Sequence, residues 1–376
     1  MAKELFNYIA IGDIHFGHTN TTTEHIIESF NQWFKTYMST ILKTNAIFLE
    51  GDVFDKLLGN SSTDYILAME WLYNLAIFCS KHKIKLRILR GTLSHDWNQL
   101  RLVEKTFLKL KTELDFKYIQ TLHIEHMSDF NIDVLYVPDE YKHDASDTFK
   151  DVQALLVEKG LTSVDIAIMH GNFSYQLPIK TVTAHDENSY LNIVKYYITI
   201  NHIHTSSIFD RIIAPGSFDR LAHGEEEDKG CVHITLFKDG SKRFSFLKNT
   251  LSKIYKTINC FDLSLDDIFS KIDKGVRKLP LNSFIRLKIN SDTRLSKNVE
   301  DFTKKYEFYT FKIESEKDKG LTNGSNITDI EIPLESFHIT PENIEELLLE
   351  ELRKQTLSEI ELDTAIEELR RAIEKL

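Results

Sequence analysis

The chain has 376 residues, a length that suits two to three domains of roughly 100–200 residues each. Hydrophobic residues make up 42% and charged residues 27%, and the 14 Gly and 6 Pro exclude a low-complexity or collagen-like chain. With 46 basic against 57 acidic side chains, the net charge of -11 argues against a protein that coats nucleic acid by bulk attraction.

The first strand-like run, residues 8–11, follows Lys3 and Glu4 directly, so no signal peptide is expected. Further strands are predicted at 46–49, 86–89, 134–137, 164–169, 197–200 and 212–214. Several are rich in Val, Ile and Leu without alternation, as in strands covered on both faces. Helical stretches at 24–42, 64–82 and 147–159 fall between them, an α/β pattern that lasts to about residue 250. The longest apolar stretch, 65–79, is broken by Glu70 and Asn74 and falls short of the ~20 residues a bilayer span needs. It reads as a buried helix. Cys79, Cys231 and Cys260 are few and far apart, which suggests a reducing, cytoplasmic setting without disulfides.

The character changes after Lys256. A helix at 265–278, strands at 284–289 and 307–313 and a polar loop at 314–326 suggest a smaller α+β domain. Thr340-Pro341 then reads as an N-cap followed by proline at the first helical position. Ile344, Leu348 and Leu352 lie four apart, and Ser358 with Glu361 reads as a second capping box. Leu362, Ile366, Leu369, Ile373 and Leu376 form an a/d seam, so a pair of helices is expected, free to pack on its own protein or on a partner. Residues 340–376 hold eleven acidic against five basic side chains, more than half of the net negative charge.

Metal-ligand residue types stand just beyond the predicted strands. They are Asp13-Ile14-His15-Phe16-Gly17-His18, then Asp52-Val53-Phe54-Asp55, then Ser94-His95-Asp96, then His170, then His202-Ile203-His204. In open α/β sheets ligands gather outside the carboxyl ends of strands. An extended i, i+2 pair points two side chains the same way, so Asp13 and His15 can meet one ion, and His202-x-His204 repeats the spacing. Asp52 is placed to bridge two ions. The mixed oxygen and nitrogen donors suit Mn²⁺ or a similar divalent ion. Two such ions clamp a phosphate and activate a water. His95 then suits a general acid for the leaving oxygen, oriented by Asp96 or Asp55. His18 reads equally as a contact around the site or as structural. His25, His82, His123, His126, His143, His185, His223, His233 and His338 lack ligand neighbours and read as structural.

These motifs resemble the calcineurin-like metallophosphoesterase family: D-x-H, G-D-x-x-D, G-N-H-D, H and G-H-x-H. Within it the chain is similar to SbcD-type DNA double-strand-break repair nuclease subunits, in a phage-type form. That finer likeness rests on Pro215-Gly216-Ser217-Phe218-Asp219-Arg220 and Gly224-Glu225-Glu226-Glu227-Asp228-Lys229-Gly230. The resemblance implies a two-sheet α/β sandwich at 1–255, a smaller α+β capping domain that binds DNA at 256–338, and C-terminal helices at 339–376. Those helices would bind the coiled-coil base of an SbcC-type ABC ATPase. It implies two Mn²⁺, with Mg²⁺ as the alternative. The first would take Asp13, His15, His204 and shared Asp52; the second would take Asp52, His170, His202 and the residue matching the motif's Asn, read as Ser94. It also implies a homodimer within a heterotetramer, joined through a helix such as 24–42 or 63–79. Asn201 replaces the glycine before H-x-H, and its tolerance of unusual backbone angles is expected to preserve the turn.

The activity implied is a Mn²⁺-dependent DNA nuclease, acting as an exonuclease on duplex ends and an endonuclease on single strands or hairpins. Its setting would be DNA repair, recombination or phage replication, in the host cytoplasm if phage-encoded. A phosphoesterase on a non-DNA substrate uses the same chemistry, and Ser94 alone favours a non-catalytic DNA-end-binding scaffold. The basic run Lys81, Lys83, Lys85, Arg87 and Arg90 is available either to DNA or as a solvated face.

Overall fold

The computed structural model describes residues 2–316 except 98, 108, 110–112, 291–301 and 303. In chain order it begins with β1 (Glu4–Ile11), α1 (Thr23–Ile41), β2 (Ala46–Glu50), α2 (Thr63–His82), β3 (Lys85–Leu89) and α3 (Leu93–Asp96). Next come α4 (Gln99–Phe107), β4 (Phe116–Ile119), β5 (His123–Met127), β6 (Ile132–Val137), α5 (Ala145–Glu158) and β7 (Ile166–Gly171). These are followed by α6 (Glu187–Ile193), β8 (Ile198–His202), β9 (Ser207–Phe209), β10 (Ile212–Ala214), β11 (Gly230–Phe237) and β12 (Lys242–Lys248). The last described elements are β13 (Tyr255–Asn259), α7 (Leu265–Val276), β14 (Phe284–Asn290) and β15 (Thr310–Glu316).

Two mixed six-stranded sheets form the body, ordered β12-β11-β1-β2-β3-β4 and β5-β6-β7-β8-β10-β9. The central pairs are parallel: β1 with β2, β2 with β3, and β7 with both β6 and β8. Their carboxyl ends therefore share one edge within each sheet. Phe6, Tyr8, Phe48, Val134, Tyr136, Ile166, Ile168 and Ile234 fill the space between the sheets. The outer face of the first sheet is covered by α1, α2 and α4 through Phe30, Trp33, Leu72, Leu75 and Val103. The second is covered by α5 and α6 through Val152, Leu156 and Tyr190. The chain is an α/β sandwich of two helix-flanked sheets.

Local signals set the helix starts. Thr22, Ser62 and Asp144 each accept a backbone N–H at the N-caps of α1, α2 and α5. A third, three-stranded sheet runs β13-β14-β15. The boundary expected at 256 falls inside β13, and Met1–Lys312 form one compact unit. The strand expected at 307–313 starts at Thr310, because Tyr309 N–H donates to Tyr306 in a turn, and it runs to Glu316 through part of the expected loop. The rest of that loop and the helices and heptad seam at 339–376 lie outside the described residues. No helix among the described residues is long and apolar enough to cross a membrane.

Candidate metal centre

Five strand ends converge where the two sheets meet. The ties are specific. His170 Nδ1, at the end of β7, lies 2.6 Å from the Glu50 carbonyl on β2. His202 N–H, at the end of β8, donates to Asp13 Oδ2 at 3.0 Å. The Thr199 hydroxyl donates to the Glu50 carboxyl. Burial pushes that carboxyl up to about 8, against the Thr199 hydrogen bond and His170.

The chain bends sharply to present the ligands. Asp13, His15, Asp52 and His202 all have positive φ, at 48°, 58°, 49° and 126°. Non-glycine residues rarely hold such angles, and clusters of them mark functional sites. The i, i+2 convergence of Asp13 and His15 therefore arises from left-handed turns, not from the extended pair that the spacing suggests. Asn201 is ordinary β8 strand. Its amide donates to Gly216 O at 3.1 Å and Asp13 Oδ2 at 3.4 Å, so it serves as a spacer rather than as a backbone hinge. Gly12 is required beneath it, since a Cβ there would lie 2.3 Å from Asn201 Cγ.

Three overlapping sets of donors result: Asp13, His15 and His204; His15, Asp52 and His95; and Asp52, His170 and His202. His15 and His204 bring their Nε2 atoms within 3.2 Å of each other. His204 Nδ1 hydrogen-bonds Glu225 at 3.0 Å, and His15 Nδ1 lies 3.2 Å from Asp55 Oδ1 without hydrogen-bond alignment. With hydrogens on the Nδ1 atoms, two imidazole lone pairs face each other. Such an arrangement repels itself unless a cation or proton lies between them. Asp13 Oδ1 is buried beside them without a hydrogen bond. A buried acceptor left in this way is costly, and a cation satisfies it. The donors fit a divalent ion.

Asp52 belongs to the second and third of these sets. Oδ2 lies 3.3 Å from His170 Nε2, 3.0 Å from His95 Nδ1 and 4.0 Å from His15 Nε2, while Oδ1 accepts Thr92 N–H at 2.6 Å. Burial would raise its pKa, but His170 and the other histidines hold it well below the usual range. Burial likewise acts to lower the His170 pKa, and Asp52 more than reverses it. The Asp52 hydrogen bond raises His95 despite burial. Burial and the neighbouring His170 lower His202.

Ser94 does not join this group; it is exposed on α3. The hydroxyl at the second set is that of Thr92, with Oγ1 3.2 Å from Asp52 Oδ2 and 3.3 Å from His202 Nδ1. The loop after β3 thus brings Thr92, and not Ser94, to Asp52 and His202. Asp96 does not hydrogen-bond His95. It accepts the N–H groups of Val53, Phe54 and Gly91, pinning two ligand loops together. Burial and the Asp52 charge push it up to about 7. Asp55 does not hydrogen-bond His95 either and lies beside His15 Nδ1. His18 accepts Thr21 N–H at Nδ1, which leaves the hydrogen on Nε2, and burial lowers its pKa.

Sequence patterning misses Glu225. Burial would raise its pKa, but the His204 hydrogen bond and the Lys229 ammonium bring it down to about 2. Lys229 is buried, with Nζ 2.9 Å from Glu225, 2.7 Å from Glu227 and 2.8 Å from His204 O. Arg220 reaches the carbonyls of Glu227 and Lys253. The 215–230 run is thus a brace that fixes His204. Of the basic run at 81–90, Lys81 and Lys83 are exposed, whereas the other three are engaged within the fold. Arg87 is buried against Glu125 and Asp115, Lys85 is paired with Asp115 and Asp129, and Arg90 donates to Asp139 O.

By sequence, no family model and no curated protein matches the chain. The structure is similar to TT1561 of Thermus thermophilus at 12% identity and a TM-score of 0.38, covering 66% of this chain and all of that one. A second solved structure is similar at 9% identity and a TM-score of 0.39, with the same coverage.

Proposed function

We propose that this chain is a dimetal phosphodiesterase of the calcineurin-like metallophosphoesterase type, and that its substrate is DNA. The observation that carries the chemistry is the His15–His204 pair, two nitrogens 3.2 Å apart with both outer nitrogens near carboxylates, beside the shared carboxylate Asp52. Asp13, His15, His204 and Asp52 would hold one divalent ion; Asp52, His170, His202 and the Thr92 hydroxyl would hold the other. Mn²⁺ suits this donor set, with Mg²⁺ the alternative. When bound, such a pair neutralises a phosphate and acidifies a water. His95 rests its Nδ1 on Asp52 and keeps Nε2 for a proton that passes to the leaving oxygen. Glu225 holds the His204 ring in the tautomer that presents Nε2, and the Asp55 carboxylate lies beside His15 Nδ1.

The choice of DNA, and of an SbcD-type subunit working with an SbcC-type ABC ATPase, is supported by the motif order and by the 215–230 run. The proposal includes a homodimer within that complex. The test is cleavage of end-labelled duplex and single-stranded DNA with Mn²⁺ against Mg²⁺, with and without the ATPase. Cleavage that disappears in His95→Ala is the expected result. Intact DNA beside rapid hydrolysis of p-nitrophenyl phosphate would assign a non-DNA phosphoester, and no hydrolysis of either would leave a scaffold.

A further inference from the structure

Exposed apolar side chains stand on the segments that carry His95 and Asp55. Leu93 is 62% exposed and Trp97 is 49% exposed, and they flank His95 on α3 and its C-cap. Leu57, 59% exposed, stands on the loop after Asp55. That loop is fastened to the same region, because Gln99 takes Leu58 N–H and donates to Lys56 O, while Asp96 takes Val53 and Phe54 N–H. The two loops that carry Asp55 and His95 therefore also present Leu57, Leu93 and Trp97 to solvent.

The Trp97 backbone is strained. Its φ of 45° and ψ of -143° lie where a bulky residue is rarely found, and an outlier of this kind is grounds for a functional hypothesis. Its indole is not loose, since Nε1 donates to Ser94 O at 2.6 Å. That single donor is satisfied locally, so the exposed remainder of the ring offers only a flat apolar face. The other two tryptophans are core residues, Trp33 at 2% and Trp71 at 7% exposure.

An exposed flat ring two residues from His95 suits a phosphodiester whose neighbours are themselves flat and apolar on their faces. We infer that Trp97, supported by Leu93, is a stacking platform for an unpaired nucleobase beside the phosphate held at the metal centre. This rests on the phosphodiesterase reading above and sharpens its substrate to single-stranded or frayed nucleic acid. Stacking of one base on an aromatic side chain changes affinity by about 5- to 150-fold, in a sequence-tolerant way.

The first test needs no metal. Because Trp97 is the exposed tryptophan of the three, intrinsic fluorescence of the full chain in EDTA should be quenched by a ten-residue oligothymidylate, and this quenching should be absent in Trp97→Ala. The second is kinetic. With Mn²⁺, Trp97→Ala should raise KM for the oligothymidylate about tenfold relative to KM for bis(p-nitrophenyl) phosphate, and Trp97→Phe should restore most of the loss. Unquenched wild-type fluorescence, or an unchanged KM ratio in Trp97→Ala, overturns the platform. Failure of wild-type protein to hydrolyse either phosphodiester overturns the phosphodiesterase reading instead, and the fluorescence arm still decides on stacking.

Discussion

Glu225→Gln isolates what the brace does for the metal centre. The change keeps the side chain's volume and its ability to accept Leu221 N–H and Ser217 Oγ, now at 3.2 and 3.3 Å. It removes the negative charge that lies 3.0 Å from His204 Nδ1 and 2.9 Å from Lys229 Nζ. Lys229 retains Glu227 at 2.7 Å and the His204 carbonyl, so the buried ammonium is not stranded. The principal loss is the basicity and orientation of His204. Removing such an outer partner typically weakens a metal site by about 10- to 100-fold, or about 1.4–2.7 kcal/mol. Of the three sets only Asp13–His15–His204 contains His204, and the Asp52–His170–His202 set does not. Calorimetric titration with Mn²⁺ should therefore show one of two sites weakened by that factor and the other held within about threefold. Thermal melting of the metal-free variant checks that the fold persists. Equal weakening of both sites, or of neither, would refute the claim that Glu225 acts through His204 on one ion.

Other changes separate chemistry, binding and stability. His95→Ala should keep the metal content and lower the rate of phosphodiester hydrolysis by about 10²- to 10⁴-fold, measured at saturating Mn²⁺. Gly12→Ala should destabilise the chain by about 1–3 kcal/mol in urea unfolding, because the new Cβ meets Asn201, and Gly12→Ala with Asn201→Gly should recover part of it. Glu125 has its carboxyl held at about 2 against the ordinary 4.5, since burial is outweighed by its hydrogen bond and charge pairing with Arg87. A depressed carboxyl stabilises above its ordinary value and loses that contribution as pH falls through the folded value. Melting temperature should therefore drop between about pH 4.5 and 2, a contribution of about 3 kcal/mol, and the drop should flatten in Glu125→Gln.

Much of the site is legible in the sequence because chain-local features create it. Asp13, His15, Asp52, His95, His170, His202 and His204 each stand at or just past the carboxyl end of a strand with a parallel neighbour, and parallel strands advertise themselves as unalternating apolar runs such as 166–169. Residues whose role depends on tertiary contact are not legible in this way. Glu225 lies 21 positions from His204, and only the folded brace brings the two together. Thr92 is hidden because two residues follow it before His95, so closeness in sequence favours exposed Ser94. Arg87 sits in a basic run, yet β5 supplies Glu125 from 38 positions away and turns it into a buried ion pair. Strands such as β5 and β12 escape prediction because polar residues break their apolar runs, His123, Glu125 and His126 in one and Lys242, Arg243 and Ser245 in the other.

The central claim is that two cations share Asp52, and the most direct measurement is the Mn²⁺ content of the full chain at equilibrium with excess metal. Two Mn²⁺ per chain are expected, with occupancy of both sites falling in Asp52→Asn, because Asp52 belongs to the His170–His202 set and its Oδ2 lies 4.0 Å from His15 Nε2 of the other. One ion or none per wild-type chain, or two ions that survive Asp52→Asn at full affinity, would contradict it.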